Sequence, residues 1–241
     1  MFLIFDIHSH LIPKIDDGAQ SIAESIKMLQ ILKGEGVDNV LATPHFYPES
    51  NNLDNFFAAR KAAFDSLSAP REGRDLPQIY LGCELLYTRG MADFEELSRL
   101  RIEGTDYILI ELPYGGIGKH VLEDILNFSI NFGVTPIFAH LERFGLFKGY
   151  KEAVNFVISG NALAQVIASS FFDKRLKKYA TALAKKDLIS FLGSDLHSSS
   201  GQPSIRQAMG HINMLYPRSA KRIENSANML LDAITHAIPG K

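Results

Sequence analysis

The chain has 241 residues, 46% of them hydrophobic, with 25 basic against 27 acidic side chains and a formal net charge of −2. That balance gives no global attraction to nucleic acid or an anionic membrane, no apolar run reaches the ~20 residues of a membrane span, and the single cysteine excludes an internal disulfide framework. The length suits one domain, 1–241, of alternating strands and helices, since barrels of that kind commonly take about 200–250 residues.

A first strand is expected over 2–7, running into Asp6-Ile7-His8-Ser9-His10. Its early acid and the absence of a basic flank mark a strand and not a signal peptide, so a cytoplasmic location is expected. After the loop Leu11 to Gly18, Ser21-Ile22-Ala23-Glu24 is a capping-box signature, and Ile22, Ile26, Leu29 and Leu32 keep helical spacing until Gly34 and Gly36. A second strand (38–43) leads to Thr43-Pro44-His45, a polar and aromatic loop, and a helix to about Leu67, with a charged connector over 70–77. A third strand (79–84) ends on Glu84 and precedes a short helix over 91–100. The fourth (107–111) ends on Glu111 and opens into the glycine-rich stretch 112–118. That stretch lacks the Lys and hydroxyl of a phosphate loop and reads as an active-site rim. Then come a helix (119–132), a fifth strand (135–139) before His140, a helix (150–159), a sixth strand (162–167) with no ligand at its end, a basic helix (173–186), a seventh strand (188–193) and two amphipathic helices over 203–236. Such alternation predicts an α/β fold with a parallel sheet, closed as a distorted TIM-like (β/α)7 barrel.

Side chains two apart on an extended chain point the same way, so His8 and His10 face one point. A lone His-x-His is equally compatible with a structural pair. Here, though, six strand-like runs finish on a ligand-type residue, at His8 and His10, His45, Glu84, Glu111, His140, and Asp195 with His197. With Asp17 these are five of the eight histidines and four carboxylates, collected where barrel enzymes place their chemistry and sufficient for more than one metal ion.

Laid out in this way, the chain resembles the polymerase-and-histidinol-phosphatase (PHP) superfamily, whose motifs stand here as His8-Ser9-His10, Thr43-Pro44-His45, His140-Leu141-Glu142-Arg143 and Ser194-Asp195-Leu196-His197. Within it, the stretch from His8 to Asp16-Asp17-Gly18, Gly82-Cys83-Glu84, Glu111-Leu112-Pro113 and Ala139 to Phe144 are similar to the bacterial metal-dependent protein-tyrosine phosphatases of capsule and exopolysaccharide export. The resemblance implies three divalent metal ions, with manganese first and iron or zinc as alternatives. His8, His10, Glu84 and Asp195 would hold one, Glu84, Glu111 and His140 the second, and Asp17, His45 and His197 the third. It also implies a phosphotyrosine protein substrate, the tail of a bacterial tyrosine kinase. A small-molecule phosphatase acting on histidinol phosphate is the alternative enzyme, and a regulatory protein stapled by metals the alternative outside catalysis. Lys14, where a small residue is common, and Ile167, where Asn is common, depart from the pattern.

Four carboxylates against three dications leave about +2 at the barrel mouth, which favours a phosphate dianion, and the Arg143 fork suits its oxygens unless Arg143 is tied up in a surface ion pair. Dications lower the pKa of bound water toward about 7, which supplies a nucleophile. A site water, His45 or a rim residue would be the acid if one is used, and a phenolate leaving group (pKa about 10) demands little assistance. Phe46, Tyr47 and Tyr114 either flank the substrate ring or anchor loops, and Lys174, Arg175, Lys177 and Lys178 either attract an acidic tail or form a solvated face. His120, His211 and His236 fall in predicted helices and receive no role. Cys83 to Arg89 matches the Cys-x5-Arg signature of cysteine phosphatases, but Glu84 would repel the anion and Leu85, Leu86 and Tyr87 would crowd it. With Glu84 facing inward, Cys83 faces the helices and is expected to be inert.

Overall fold

The computed structural model describes residues 4–237, so the beginning of the expected first strand, residues 2 and 3, lies outside them. Nine strand segments are present: β1 (Phe5–Ser9), β2 (Asn39–Ala42), β3 (His45–Phe46), β4 (Gln78–Leu81), β5 (Glu84–Leu86), β6 (Tyr107–Glu111), β7 (Thr135–Phe138), β8 (Leu163–Ile167) and β9 (Ile189–Gly193). The helices are α1 (Ile22–Gly34), α2 (Leu53–Asp65), α3 (Ser68–Arg71), α4 (Lys119–Phe132), α5 (Tyr150–Ile158), α6 (Lys177–Lys185), α7 (Ile205–Leu215) and α8 (Pro217–Ala237). The expected short helix over 91–100 is two 3-10 turns, Met91–Asp93 and Glu95–Leu100. The basic helix starts later than expected because Asp173 first makes a turn, its carboxylate accepting from the backbone N–H groups of Arg175 and Leu176.

All the strand pairings are parallel, in the orders β1-β2-β4 and β3-β5-β6-β7-β8-β9. The two sheets are parts of one distorted barrel. β2 and β3 are one strand interrupted at Thr43-Pro44, and β4 and β5 one strand interrupted at Gly82-Cys83. Gly82 N donates to Ala42 O (2.9 Å) and Glu84 N to Pro44 O (3.1 Å), which keeps the broken pair in step. Pro44 has no N–H to give the ladder; next to it, the Thr43 hydroxyl accepts from Ser9 N (3.1 Å). The barrel closes between β9 and β1, where Asp195 N donates to His8 O and His10 N to Leu196 O.

The apolar residues divide into an outer layer between strands and helices and a smaller interior cluster. Phe5, Ile7, Leu41, Leu109, Ile137 and Phe191 fill the interior, and Ala227, Leu230 and Ile234 of α8 join them. Because these strand residues lie on the N-terminal side of the ligand positions, α8 plugs one end and leaves the polar end to the ligands. Its buried residues Ala220, Ile223, Ala227, Leu230 and Ile234 recur at three- and four-residue intervals, one face of a helix. No helix among the described residues is long and apolar enough to cross a membrane. Leu230 is fully buried in this plug, so Leu230→Ala should cost about 2–5 kcal/mol in urea unfolding through lost contact and a residual cavity.

Candidate metal centre

The irregularities of the strands aim the ligand-type side chains. Phe5 and Ile7 face the interior, and strict alternation would turn His8 outward. A register shift between Asp6 and Ser9 lets His8 follow Ile7 inward, the usual effect of a bulge. His45 and Glu84 are the first residues after the two strand breaks and are paired in register. His140 and Asp195 adopt left-handed backbone (φ 33° and 52°) directly beyond β7 and β9. A non-glycine residue held there stores strain that the surroundings must compensate, a pattern concentrated at functional sites.

The nine candidate ligands converge. His8 Nε2 lies 3.2 Å from His10 Nε2 and 3.1 Å from Glu84 Oε2, and Asp195 Oδ1 lies 3.4 and 3.3 Å from the same two nitrogens. His140 Nε2 is 2.9 Å from Glu84 Oε1 and 3.4 Å from Glu111 Oε1. His45 Nδ1 faces Glu84 Oε2 at 3.1 Å, and Asp17 Oδ1 lies 3.6 Å from His45 Nε2 and 3.5 Å from His197 Nε2. Among the described residues three donor groups are compact enough to hold an ion: His8, His10, Glu84 and Asp195; His10, Asp17, His45 and His197; and His45, Glu84 and Glu111. The first coincides with the set the resemblance implies. The second adds His10 to the expected third set, and the last brings His45 beside Glu84 and Glu111, with His140 adjoining.

The hydrogen bonds behind these side chains decide where the lone pairs point. Gln165 Oε1 accepts from the backbone N–H of His140 (2.6 Å), which fixes the amide orientation; the same oxygen is 3.1 Å from His8 Nδ1, which must therefore donate. His10 Nδ1 is 2.7 Å from Asp16 Oδ2, and His197 Nδ1 2.9 Å from the carbonyl of Asp195, again acceptors only. Each of these imidazoles thus turns its Nε2 lone pair into the centre. Lone pairs 3.2 Å apart, facing two carboxylates, fit a cation between them. His45 Nδ1, buried without a hydrogen-bond partner despite its closeness to Glu84, fits the same need.

The electrostatics agree. Burial pushes the Glu84 carboxyl up, yet His8, His10 and His140 around it hold it well below the usual carboxylate range. Burial likewise opposes ionisation of Asp195, but His8, His10 and Arg143 hold it far below that range. His10 is raised well above an ordinary imidazole although burial lowers it, because Asp16, Asp195 and Glu84 surround it. Burial lowers His45 instead, which keeps its lone pairs available for coordination. The centre calls for positive charge, and protons or metal ions can supply it at the same atoms.

Arg143 Nη2 reaches Asp195 Oδ2 at 2.6 Å while about a third of its side chain stays exposed. Tyr114 donates its hydroxyl to Glu111 Oε1 (2.7 Å), and Tyr47 stacks on His45 with centroids 5.2 Å apart. Phe46 turns to the opposite side of its strand, is buried, and packs edge-on against Phe56, which makes it a loop anchor. Lys174, Arg175, Lys177 and Lys178 follow β8, and Lys178 covers the Tyr179 ring. His120, His211 and His236 belong to none of the three donor groups.

A profile described as capsular polysaccharide synthesis, CpsB/CapC, matches residues 4–231. The chain belongs to this family. It is similar to the tyrosine-protein phosphatase YwqE of Bacillus subtilis strain 168, with 29% identity over 200 residues that cover 81% of this chain and 78% of that protein. To the putative tyrosine-protein phosphatase CapC of Staphylococcus aureus it is 30% identical over 207 residues, 82% and 78% of the two chains. The crystal structures described as YwqE from B. subtilis and CpsB from Streptococcus pneumoniae, unique metal-dependent tyrosine phosphatases, superpose with a TM-score of 0.81 at 25% identity over 95% of each chain. The distorted barrel is therefore the architecture shared with members of this CpsB/CapC family.

Sequence reasoning passed over the residues that orient the ligands. Asp16, and not only its neighbour Asp17, enters the centre, accepting from the backbone N–H of His45 (3.0 Å) and Gly18 (2.9 Å) besides facing His10. Gln165 comes from β8, the strand with no ligand at its end. Asp6 accepts from Ser194 N (2.8 Å) and Ser194 Oγ (2.6 Å), tying β1 to the turn that carries Asp195. Gly193 leaves the space that this packing needs, since a Cβ there would lie 2.6 Å from the Cβ of His8 and 2.7 Å from Gln165 Nε2. Asp16 and Gln165 could have been suspected as polar residues inside otherwise apolar or ligand-bearing runs, although nothing in the spacing says what they touch.

Two outcomes are expected. Gln165→Leu frees the His8 tautomer and should weaken metal affinity about 10- to 100-fold, measured by competition with a chromogenic chelator. Cys83 is buried with Sγ 3.6 Å from Leu100 O, and burial pushes its thiol up to about 12. It should resist iodoacetamide at pH 8 until the chain is unfolded, as intact-mass measurement will show.

Proposed function

We propose that the chain, as one domain over 1–241, is a metal-dependent protein-tyrosine phosphatase acting on a tyrosine kinase that governs capsular or exopolysaccharide synthesis in the cytoplasm. The observation that carries this reading is the convergence of the His8 and His10 Nε2 lone pairs on Glu84 and Asp195, with the Arg143 guanidinium at the edge of the same group. The names of its relatives support the choice of phosphotyrosine.

His8, His10, Glu84 and Asp195 would hold one divalent ion, Glu84, Glu111 and His140 a second, and Asp17, His45 and His197 a third, with manganese the first candidate for a mixed imidazole and carboxylate set. Bound there, such ions supply an acidified water and a positive field for the phosphate. The chain's own groups do the rest. Arg143 is held beside Asp195 by an ion pair and has its planar N–H fork for phosphate oxygens. Tyr47 and Tyr114 stand at the rim, where the phenol ring of the substrate would lie. Tyr114 also holds Glu111 in place. Burial lowers His45 and so favours its neutral form with one free nitrogen lone pair, which suits a ligand better than a proton donor. The phenolate leaves without an assigned acid, because its pKa of about 10 lies several units below that of a Ser or Thr alcohol.

The test is phosphate release from a phosphotyrosine peptide before and after chelation and after manganese is restored. Release should vanish and return with metal. His45→Ala and Asp195→Ala should abolish it, and Cys83→Ser should leave it nearly intact. Arg143→Ala should lower kcat/KM about 100-fold, the scale of losing one donor to the transition-state charge. Release that persists after all metal is gone, or rapid turnover of histidinol phosphate with none of the peptide, would overturn the reading.

A further inference from the structure

Beside the metal centre the rim carries a cavity of about 490 Å³ that the chemistry above does not use. It is separated from the site by the thickness of one strand. His45 and Tyr47 face the centre, and Phe46 between them faces the cavity; in the loop after the neighbouring strand β5, Thr88 lines the cavity four residues beyond Glu84. Phe46 and Pro48, the chain neighbours of Tyr47, both line the cavity, so a polypeptide lying across the barrel mouth at Tyr47 is next to it.

The walls combine apolar and charged side chains. Phe46, Leu53, Phe94 and Leu97 supply the apolar surface, and Phe94 leaves 45% of its area exposed without packing on another ring among the described residues. At the edge, three carboxylates (Glu49, Asp54, Glu96) stand against two guanidiniums (Arg89, Arg99), and Arg99 is already paired with Asp54 at 3.0 Å. An acidic side chain would meet excess negative charge there. An apolar one would displace water from Phe94 and Leu97 and leave Glu49, Glu96 and Arg89, which are exposed, hydrated at the edge.

We propose that this cavity is the subsite for an apolar, aromatic-sized side chain close to the phosphotyrosine of the protein substrate. The inference rests on the phosphatase reading and adds to it a sequence preference. An extended peptide advances about 3.3 Å per residue, so the side chain that enters is one to three positions from the phosphotyrosine. The metal centre selects the phosphate, and this cavity selects which phosphotyrosine.

The experiment is steady-state hydrolysis of peptides carrying one phosphotyrosine and Phe, Gly or Asp at each of the three positions on either side, with p-nitrophenyl phosphate as the substrate that cannot reach the cavity. At one position Phe should exceed Gly and Asp by about tenfold or more in kcat/KM, through KM. Phe94→Asp, which charges the exposed wall, and Thr88→Trp, which fills the space, should erase that preference and leave p-nitrophenyl phosphate kinetics within about twofold. The proposal fails if Phe, Gly and Asp are equivalent at all six positions, if the preference survives in both variants, or if both variants lose the small substrate as much as the peptide. Anisotropy of the same peptides, fluorescently labelled, scores the preference without turnover. A chain that binds them selectively yet releases no phosphate from any ester would overturn the phosphatase reading alone.

Discussion

The structure depends on one electrostatic condition. Glu84, Glu111 and Asp195 are withdrawn from water at one end of the barrel beside His8, His10 and His197, whose outer nitrogens are already engaged, so the inner lone pairs and the carboxylate oxygens look at one another. Desolvating that much negative charge is costly unless compensated close by. Protonated His8 and His10 would meet the charge but would bring two N–H groups together at 3.2 Å. A divalent ion meets it and satisfies the lone pairs together.

Several oddities of the fold follow from that condition. The strands are ordinary where they enclose Phe5, Leu109, Ile137 and Phe191, and irregular where they reach the ligands. There, β1 shifts register, the two neighbouring strands break at the same level, and His140 and Asp195 take left-handed backbone. The apolar end is closed by α8, which concentrates regular packing away from the strained end. Stability and chemistry are thereby assigned to opposite ends of one barrel, as is usual for parallel barrels.

Much of this was legible in the sequence because it is local. Apolar runs of strand length ending on His, Glu or Asp identify the seven barrel strands and the ligand-type residues, and β6 and α4 lie where their periodicity places them, at 107–111 and 119–132. What escaped depends on contacts across the barrel. Gln165 sits in a strand whose own end is apolar, and its partners are 157 and 25 residues away. Asp6 meets Ser194 at a separation of 188 residues. The strand breaks were hidden as well, since Gly82 and Cys83 between apolar residues read as continuous strand, and Pro44 as the end of one. Phe46 shows a limit of another kind, for its place next to a ligand suggested that it flanks the substrate ring at the centre, whereas alternation turns it to the other side of its strand, into the neighbouring cavity.

The pairing of β1 with the turn after β9 has a consequence for how the protein is made. His8 and His10 leave the ribosome well before Asp195 and His197, which share their donor groups. Two of the three donor groups therefore stay incomplete until Asp195 and His197 have been made, and only His45, Glu84 and Glu111 come together earlier in the chain. A translation product broken off before Asp195 would lack those two groups, and full loading of the centre becomes a late event of biogenesis that reports a completed barrel.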